Sequence, residues 1–325
     1  MTRPQPEPTR ITVCLPTRNR GASITPTLES LTRLDHDSFD VVVVDQSTDD
    51  RSWQAFCETA GDDKRFTCVR SKSVGKSAAC NIAVDHAQGT IIAFTDDDCT
   101  APFDWLSRTE RAFADNPGVA MICGGVRAAA HDPTHGAIPA FTPPRTRLHH
   151  SRWLRYQARG MGANFAFQAG PLREEGPFDE VLGSGGPLRA GDDRDKLYRM
   201  LGAGFGVLDL PEPAVTHYGL RTWGAELRGL SWNAAMSEGV ICMKFLRMGD
   251  PTILPTLLVH LLGRTVNWRN VIRLQRPTGF GRSLAFVRGM LASFRYPIDR
   301  ASRIYIPRRR TSAVSRGRWP KAPSP

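Results

Sequence analysis

Short apolar, β-branched runs alternate with helix-length polar segments along the first 125 residues of this 325-residue chain. The clearest run is residues 39–44, whose four consecutive valines are typical of a parallel strand buried on both faces. Further strands are predicted at residues 11–15, 66–70, 90–95 and 119–123, with helices at 21–34, 76–87 and 104–115. This rhythm predicts an α/β fold with an open, doubly wound, mostly parallel sheet and flanking helices.

The regular alternation ends after residue 125. A loop is expected over 128–144, a strand over 162–169, a glycine-rich loop over 178–187, a helix over 192–201 and a short strand over 206–210. Residues 223–294 have a helical pattern that is broken at 249–251 and at 277–279. The predicted regions are a flexible N-terminus (1–9), an α/β half (10–125), a second half of the same domain (126–222), a basic helical region (223–300) and a disordered basic tail (301–325).

Polar residues follow the predicted strands at their carboxyl ends, where ligands bind in open α/β sheets. The first strand leads into Pro16-Thr17-Arg18-Asn19-Arg20, the second into Asp45, and the fourth into Asp96-Asp97-Asp98. The first turn lacks the G-x-G-x-x-G pattern, so the fingerprint of a dinucleotide-binding Rossmann site is missing.

The acidic triplet predicts a cation site. Asp96 and Asp98 project to the same side of an extended segment, and oxygen ligands suit Mg²⁺ or Mn²⁺. An acidic surface loop is the alternative. Asp45 can accept a hydrogen bond from a nucleobase N–H, or it can cap the helix that follows.

Three further residues admit two interpretations each. Lys76 follows Gly75 at a helix start and can approach a diphosphate, although the full phosphate-loop pattern is absent. Asp193 either has a chemical role or caps the helix that begins there. His217, by residue type alone, is more typical of a structural histidine than of a metal ligand.

Six motifs in this order resemble family 2 glycosyltransferases of the GT-A fold over roughly residues 10–250. They are LPTRNR (15–20), VVVVDQSTDD (41–50), VGKSAACNIAVDHAQGTIIAFTDDDC (74–99), GANFAF (162–167), GPFDEVLGSGGPLRAGDDRD (176–195) and PEPAVTHYG (211–219). The resemblance implies a GT-A domain, followed here by the helical C-terminal region. It also implies that residues 10–125 bind a nucleotide sugar and that residues 126–222 face the acceptor.

The resemblance assigns a role to each candidate residue. Those implied to contact the nucleotide sugar are Pro16, Thr17, Asp45, Asp96 and Asp97, and Lys76 stays a candidate beside the diphosphate. Those implied to hold Mn²⁺ or Mg²⁺ are Asp96, Asp98 and His217, which lies 24 positions after Asp193. Asp193 is implied to be the catalytic base of an inverting transfer. One departure is Cys80, where some members carry an arginine.

The resemblance further implies a nucleotide-diphospho-sugar donor and a carbohydrate or lipid-linked acceptor, in the synthesis of cell-envelope polysaccharide or glycolipid. Two alternatives from other classes remain. A phosphatase of the haloacid dehalogenase type would use Asp96-Asp97-Asp98-Cys99-Thr100 as its nucleophile motif, although that motif normally follows the first strand. A non-catalytic nucleotide- or lipid-surface-binding module is the other.

The net charge of +11 is concentrated at one end. Residues 264–325 contain fifteen Lys or Arg and one acid, whereas the first 263 residues sum to −3. Arg269, Arg273 and Arg276 share one face of a predicted helix. This face suits either peripheral contact with anionic lipid or exposure to solvent on a helix that packs against the domain, and both are favoured over nucleic acid.

The cysteine pattern bears on location. Seven cysteines without C-x-x-C spacing predict free thiols in a reducing compartment. No secretory signal is recognisable, and the longest apolar stretch is too short to span a bilayer. We therefore expect a cytoplasmic protein, peripheral on the inner face of the membrane.

Overall fold

The computed structural model describes residues 10–264 and 280–307. The strands are β1 (Ile11–Thr17), β2 (Phe39–Asp45), β3 (Phe66–Arg70), β4 (Ile91–Phe94), β5 (Cys99–Thr100), β6 (Val119–Ala128), β7 (Gly136–Ala137), β8 (Arg147–His149), β9 (Phe165–Gln168), β10 (Gly206–His217), β11 (Arg221–Thr222), β12 (Ile298–Asp299) and β13 (Ile304–Tyr305). The helices are α1 (Thr25–Thr32), α2 (Arg51–Ala60), α3 (Lys76–His86), α4 (Trp105–Asp115), α5 (Ala169–Glu175), α6 (Asp192–Gly202), α7 (Ala225–Arg247), α8 (Leu254–Val259) and α9 (Phe280–Ser293).

One mixed sheet organises the chain, with strand order β3-β2-β1-β4-β9-β6-β10-β5 and with β8 paired to β10. Strands β1 to β4 pair in parallel, as predicted. The sheet is not parallel throughout, because β9 lies antiparallel between β4 and β6. Since β6 runs through residue 125, the two predicted halves share this sheet.

Alternate residues of the parallel strands point into two separate cores. Val42 and Val44 pack on one side with α3, α6, α7 and α9, whereas Val41 and Val43 pack on the other with α1, α2 and α4. The run of valines is therefore buried on both faces, which explains why it has no polar alternation.

Strand β10 is longer than the five residues predicted from sequence. Pro211 and Pro213 indicate a strand end at Leu210, because proline cannot donate a ladder hydrogen bond. The structure instead places them in an irregular stretch between Leu210 and Val215, after which pairing with β6 resumes to His217. This extension brings His217 to the rim of the sheet.

The helical C-terminal region packs against the α/β core. Helix α9 crosses α7 where Gly239 and Gly289 bring the backbones together, so a Cβ on either glycine would overlap a carbonyl oxygen of the other helix. The predicted disordered tail begins too early, because β12 and β13 form a hairpin in which Tyr305 is buried. The predicted flexible residues 1–9, the break at 277–279, the face formed by Arg269, Arg273 and Arg276, and the tail beyond 307 lie outside the described residues.

Candidate active site

The ends of β1 and β2 form the first wall of the site. Thr17 pairs with Asp45 across the two strands, and both side chains are buried. Asp45 does not cap the next helix. One carboxylate oxygen accepts from Ser47 N at 2.8 Å, and the other is buried without a hydrogen-bond partner within the part of the chain described. Because such an oxygen is costly to bury, it is suited to accept a ligand N–H.

Asp98 and His217 meet because β5 pairs antiparallel with the end of β10, placing Cys99 opposite His217. Asp98 Oδ1 lies 3.2 Å from His217 Nε2. The other ring nitrogen, Nδ1, lies 2.8 Å from the carbonyl oxygen of Pro139, to which it donates. The hydrogen bond from Nδ1 to a backbone carbonyl fixes the ring and leaves Nε2 as the candidate ligand atom, an arrangement that is common among metal-binding histidines.

The ionisation of this pair follows from its contacts. Burial alone would raise the pKa of Asp98, but His217 and Arg20 outweigh it and lower that pKa to about 2. Burial alone would lower the pKa of His217, but the hydrogen bond to Asp98 raises it. The carboxylate of Asp98 is therefore charged, as a metal ligand has to be.

The residues around this pair fit a divalent cation. Gly219 lies directly over it, and a Cβ atom there would be 2.7 Å from His217 Nε2 and 2.9 Å from Asp98 Oδ2. Cys99 is also close, but burial raises the pKa of its thiol and keeps it protonated. Oxygen and imidazole donors suit Mn²⁺ or Mg²⁺.

Arg20 is a site residue to which sequence reasoning gave no role. Its guanidinium contacts Asp97 Oδ1 at 2.8 Å and Asp98 Oδ2 at 2.8 Å. Burial raises the pKa of Asp97, and Arg20 opposes that shift. Arg20 belongs to the same LPTRNR motif as Thr17, and that position was the available signal.

A second charged cluster adjoins the first through Asp96. Lys76, at the start of α3, forms an ion pair with Asp96. Burial alone would lower the pKa of Lys76, but Asp96 and Asp192 raise it. Burial and the neighbouring Asp193 raise the pKa of Asp192 to about 6.

Asp193 lies in this cluster, in the first turn of α6. The residue that caps the helix is Gly191, and no side chain makes a capping hydrogen bond. Asp193 Oδ1 accepts from Arg194 N at 2.7 Å, and Oδ2 lies 3.4 Å from Gly162 N. A Cβ on Gly162 would lie 3.4 Å from both Asp193 Cβ and Lys76 Nζ, so the carboxylate and the ammonium flank one small residue.

The glycine-rich loop before α6 is hydrogen-bonded to the start of α3. Lys76 N donates to Ser184 O at 2.8 Å, and Ser77 Oγ donates to Leu182 O at 3.1 Å. Gly183 has φ +85° and a Cβ there would crowd Asp192. The loop therefore fixes the spacing between α3 and α6.

A buried charge network holds α6 in place. Lys244 of α7 contacts Asp179 Oδ2 at 3.0 Å and Asp195 Oδ1 at 2.5 Å. Asp179 Oδ2 also accepts from Tyr305 N at 2.9 Å. The remaining charged members are Glu175, Lys196 and Arg199. All six charged side chains are at most 1% exposed, so the network fixes α6 relative to α7 and to the hairpin.

A smaller contact joins the same two helices beside Asp193. Arg194 forms an ion pair with Glu238 of α7, and Glu238 Oε2 lies 2.9 Å from His260 Nδ1. Burial alone would lower the pKa of Arg194, but Glu238 raises it. The position of Asp193 thus depends on residues far along the chain.

Solved structures with the same fold define the class of this domain as GT-A. The mannosyltransferase PcManGT of Pyrobaculum calidifontis, solved with GDP-Man and Mn²⁺, superposes with a TM-score of 0.59 at 19% identity, over 90% of this chain and 77% of that protein. Residues 1–349 of TarS from S. aureus, in complex with UDP-GlcNAc, superpose with a TM-score of 0.58 at 19% identity, over 86% and 81% of the two chains.

The family follows from sequence. Residues 12–172 match the model of glycosyl transferase family 2, and the chain belongs to that family. Glycosyltransferase AglE of Haloferax volcanii is 24% identical over 182 residues, which cover 55% of this chain and 59% of AglE. The segment matched by the family model contains Asp45 and the acidic triplet, whereas Asp193 and His217 lie beyond it.

Proposed function

We propose that this chain is an inverting glycosyltransferase that moves a sugar from a nucleotide-diphospho-sugar to an acceptor hydroxyl, with Mn²⁺ or Mg²⁺ as its cofactor. The observation that carries the proposal is the meeting of two carboxylate clusters, around Asp98–His217 and around Asp193, which Asp96 and Lys76 join. Family membership supports the reaction class.

The donor lies across the ends of β1, β2 and β4. Asp45 accepts a ring N–H of the nucleobase through its unpartnered buried oxygen, and Pro16 and Thr17 form the floor beside it. Asp96 and Asp97 face the ribose and diphosphate, with Lys76 and Arg20 supplying positive charge nearby. Lys76 is already paired with Asp96, and Arg20 with Asp97, so their positive charge is largely neutralised. Binding of a dianionic ligand at this site therefore requires further positive charge.

Asp96, Asp98 and His217 would hold the divalent cation, with His217 contributing Nε2. When bound, the cation supplies Lewis-acid stabilisation of the negative charge that the leaving diphosphate gains. The bound dication of the PcManGT structure is consistent with this assignment.

Asp193 removes the proton from the acceptor hydroxyl. The acceptor oxygen forms its bond to the anomeric carbon while the bond from that carbon to the diphosphate breaks, so the nucleoside diphosphate leaves and the configuration inverts. A positioned base contributes roughly 10²–10⁴-fold to the rate. The acceptor is a carbohydrate or lipid-linked hydroxyl used for cell-envelope polysaccharide or glycolipid, and the enzyme works at the cytoplasmic face of the membrane.

The test is the Asp193→Asn variant. We expect transfer to fall by about 10²–10⁴-fold while a thermal shift with nucleotide diphosphate and Mn²⁺ persists, because the amide cannot act as a base but leaves the donor wall intact. Asp115→Asn, an exposed acid on α4, is the matched control. Undiminished transfer would remove Asp193 from the role, and retention of the donor's anomeric configuration in the product would exclude inversion.

The same assays separate the alternatives. A non-catalytic binding module would show the thermal shift but release no nucleoside diphosphate with any acceptor. A haloacid-dehalogenase-type phosphatase would release inorganic phosphate instead. Its motif should follow the first strand of the core, whereas the acidic triplet follows β4.

A further inference from the structure

Helix α9 has one buried face and one exposed apolar face. Its buried face packs on α7 through Gly289 and Phe286. The exposed face carries three large apolar residues at intervals of three and four positions, and a fourth follows directly after the last residue of the helix. These four residues, the apolar stripe, are Leu284 (45% exposed), Val287 (44%), Leu291 (65%) and Phe294 (61%).

Helix α8 and the turn after it expose four more leucines, namely Leu254, Leu258, Leu261 and Leu262. The ring of His260 stacks on Phe286 with centroids 5.8 Å apart, so the end of α8 lies beside α9. Within the described ranges, nine of the eighteen exposed large apolar side chains lie between Leu254 and Ile306. A concentration of this kind marks an interaction surface rather than scattered exposure.

The charge around these helices selects the kind of partner. Residues 251–298 contain seven arginines and no aspartate or glutamate. Three of the arginines, Arg282, Arg288 and Arg295, are on or directly after α9 and are exposed. An anionic lipid surface offers head groups for guanidinium ions and an apolar layer for the stripe between them.

The geometry suits a helix that lies in the plane of the interface. Across residues 10–264 and 280–307, no helix has both the length and the apolar composition to cross a bilayer. Helix α9 has 14 residues and is therefore about 21 Å long, enough to present the whole stripe to one surface.

We propose that α8 and α9 dock this protein on an anionic lipid surface, with Leu254, Leu258, Leu261, Leu262, Leu284, Val287, Leu291 and Phe294 inserted at the boundary between head groups and acyl chains. This docking goes beyond the proposed transfer reaction and does not depend on it. Helix α9 packs on α7, and α7 contacts the first turn of α6 through Glu238 and Arg194. If the transfer proposal also holds, docking places Asp193 two helices away from the lipid that would carry an acceptor.

The experiment is sedimentation of the full chain with vesicles of phosphatidylcholine, with or without about 30% phosphatidylglycerol. We expect co-sedimentation with the anionic vesicles that weakens at high salt. The double variant Leu291→Glu/Phe294→Glu should lose roughly tenfold or more in apparent partition coefficient, because two carboxylates replace apolar side chains at the interface.

Phe103→Glu is the matched control, since Phe103 is 63% exposed and lies before α4, away from α8 and α9. It should co-sediment as the unsubstituted protein does. Both substitutions fall on exposed side chains, and circular dichroism melting verifies that each variant folds. A second variant, Arg282→Gln/Arg288→Gln, should reduce the dependence on phosphatidylglycerol and on salt.

Three results would overturn the proposal. The first is equal pelleting of the double variant and the unsubstituted protein, and the second is equal pelleting with neutral and anionic vesicles. The third is that the unsubstituted protein stays in the supernatant, which is expected if a second copy or residues 265–279 cover the stripe. Light scattering after size exclusion identifies the second copy. Donor binding, followed by thermal shift without vesicles, should be the same in all variants, so failure of docking is distinguishable from failure of the transferase proposal.

Discussion

Lys244 of α7 lies between two buried carboxylates, and Lys244→Met removes its charge while keeping the length of its side chain. Its ammonium is 3.0 Å from Asp179 and 2.5 Å from Asp195, and these three side chains are at most 1% exposed. Breaking a buried ion pair by removing one partner costs about 3–5 kcal/mol, because the remaining charge is left uncompensated. At roughly 2–4 °C per kcal/mol, Tm should fall by roughly 6–20 °C.

The deficit should depend on pH. Burial raises the pKa of Asp179, and Lys244 opposes that shift. A carboxyl whose pKa is higher in the folded than in the unfolded state contributes stability at low pH that is lost as pH rises through the folded-state pKa. Without Lys244 this pKa rises further, so the gap in Tm between variant and unsubstituted protein should widen from pH 5 to pH 8.

The assay is a thermal melt across that pH range, together with transfer at a temperature where both proteins are folded. Because Asp195 is in the first turn of α6 with Asp193, we expect transfer to fall as well. Lys64→Met makes the same chemical change at an exposed lysine and should alter stability by no more than about 0.5 kcal/mol. A decrease in Tm of less than about 2 °C, or a decrease that does not change with pH, would refute the argument from buried charge.

Two further substitutions test close approaches of glycine. Gly219→Ala places a methyl group against Asp98 and His217. It should abolish the Mn²⁺-dependent part of donor binding, measured by thermal shift with and without the metal, with little change in the Tm of the unliganded protein. If Mn²⁺-dependent binding stays at the level of the unsubstituted protein, the cation lies elsewhere. Gly289→Ala forces α7 and α9 apart where they cross and should destabilise the fold by about 1–3 kcal/mol in urea unfolding. Gly281→Ala, on the same helix, places its methyl group in open space and should not destabilise the fold. Equal destabilisation by the two variants would contradict the described crossing.

The parallel half of the sheet was predictable because its cause is local. Each strand from β1 to β4 is a continuous apolar run that ends in polar residues, and the structure confirms that these runs pair in parallel. The prediction of a mostly parallel sheet is confirmed, but the antiparallel direction of β9 was not predicted. Its four residues read as a strand, but its direction is set by pairing with both β4 and β6, which no local pattern encodes.

The candidate site divides in the same way. Asp45 and Asp98 were predictable as candidates because each follows an apolar strand at the carboxyl end. Arg20 and Gly219 were not, since their roles arise from contacts across the fold. The buried network was missed because Lys244 and Asp179 resemble surface charges in sequence, and only the packing of α7 removes them from water.

The hairpin that carries Tyr305 limits how this chain can be dissected or recombined. A fragment that stops after β10 would keep Asp179 but lose Lys244, whose ammonium neutralises it, and Tyr305, whose backbone N–H donates to it. Grafting the helical region of a relative onto this sheet would meet the same obstacle, unless the partners at positions 179 and 195 were exchanged together. The sheet and the helical region must therefore change together in sequence, because buried charges join them.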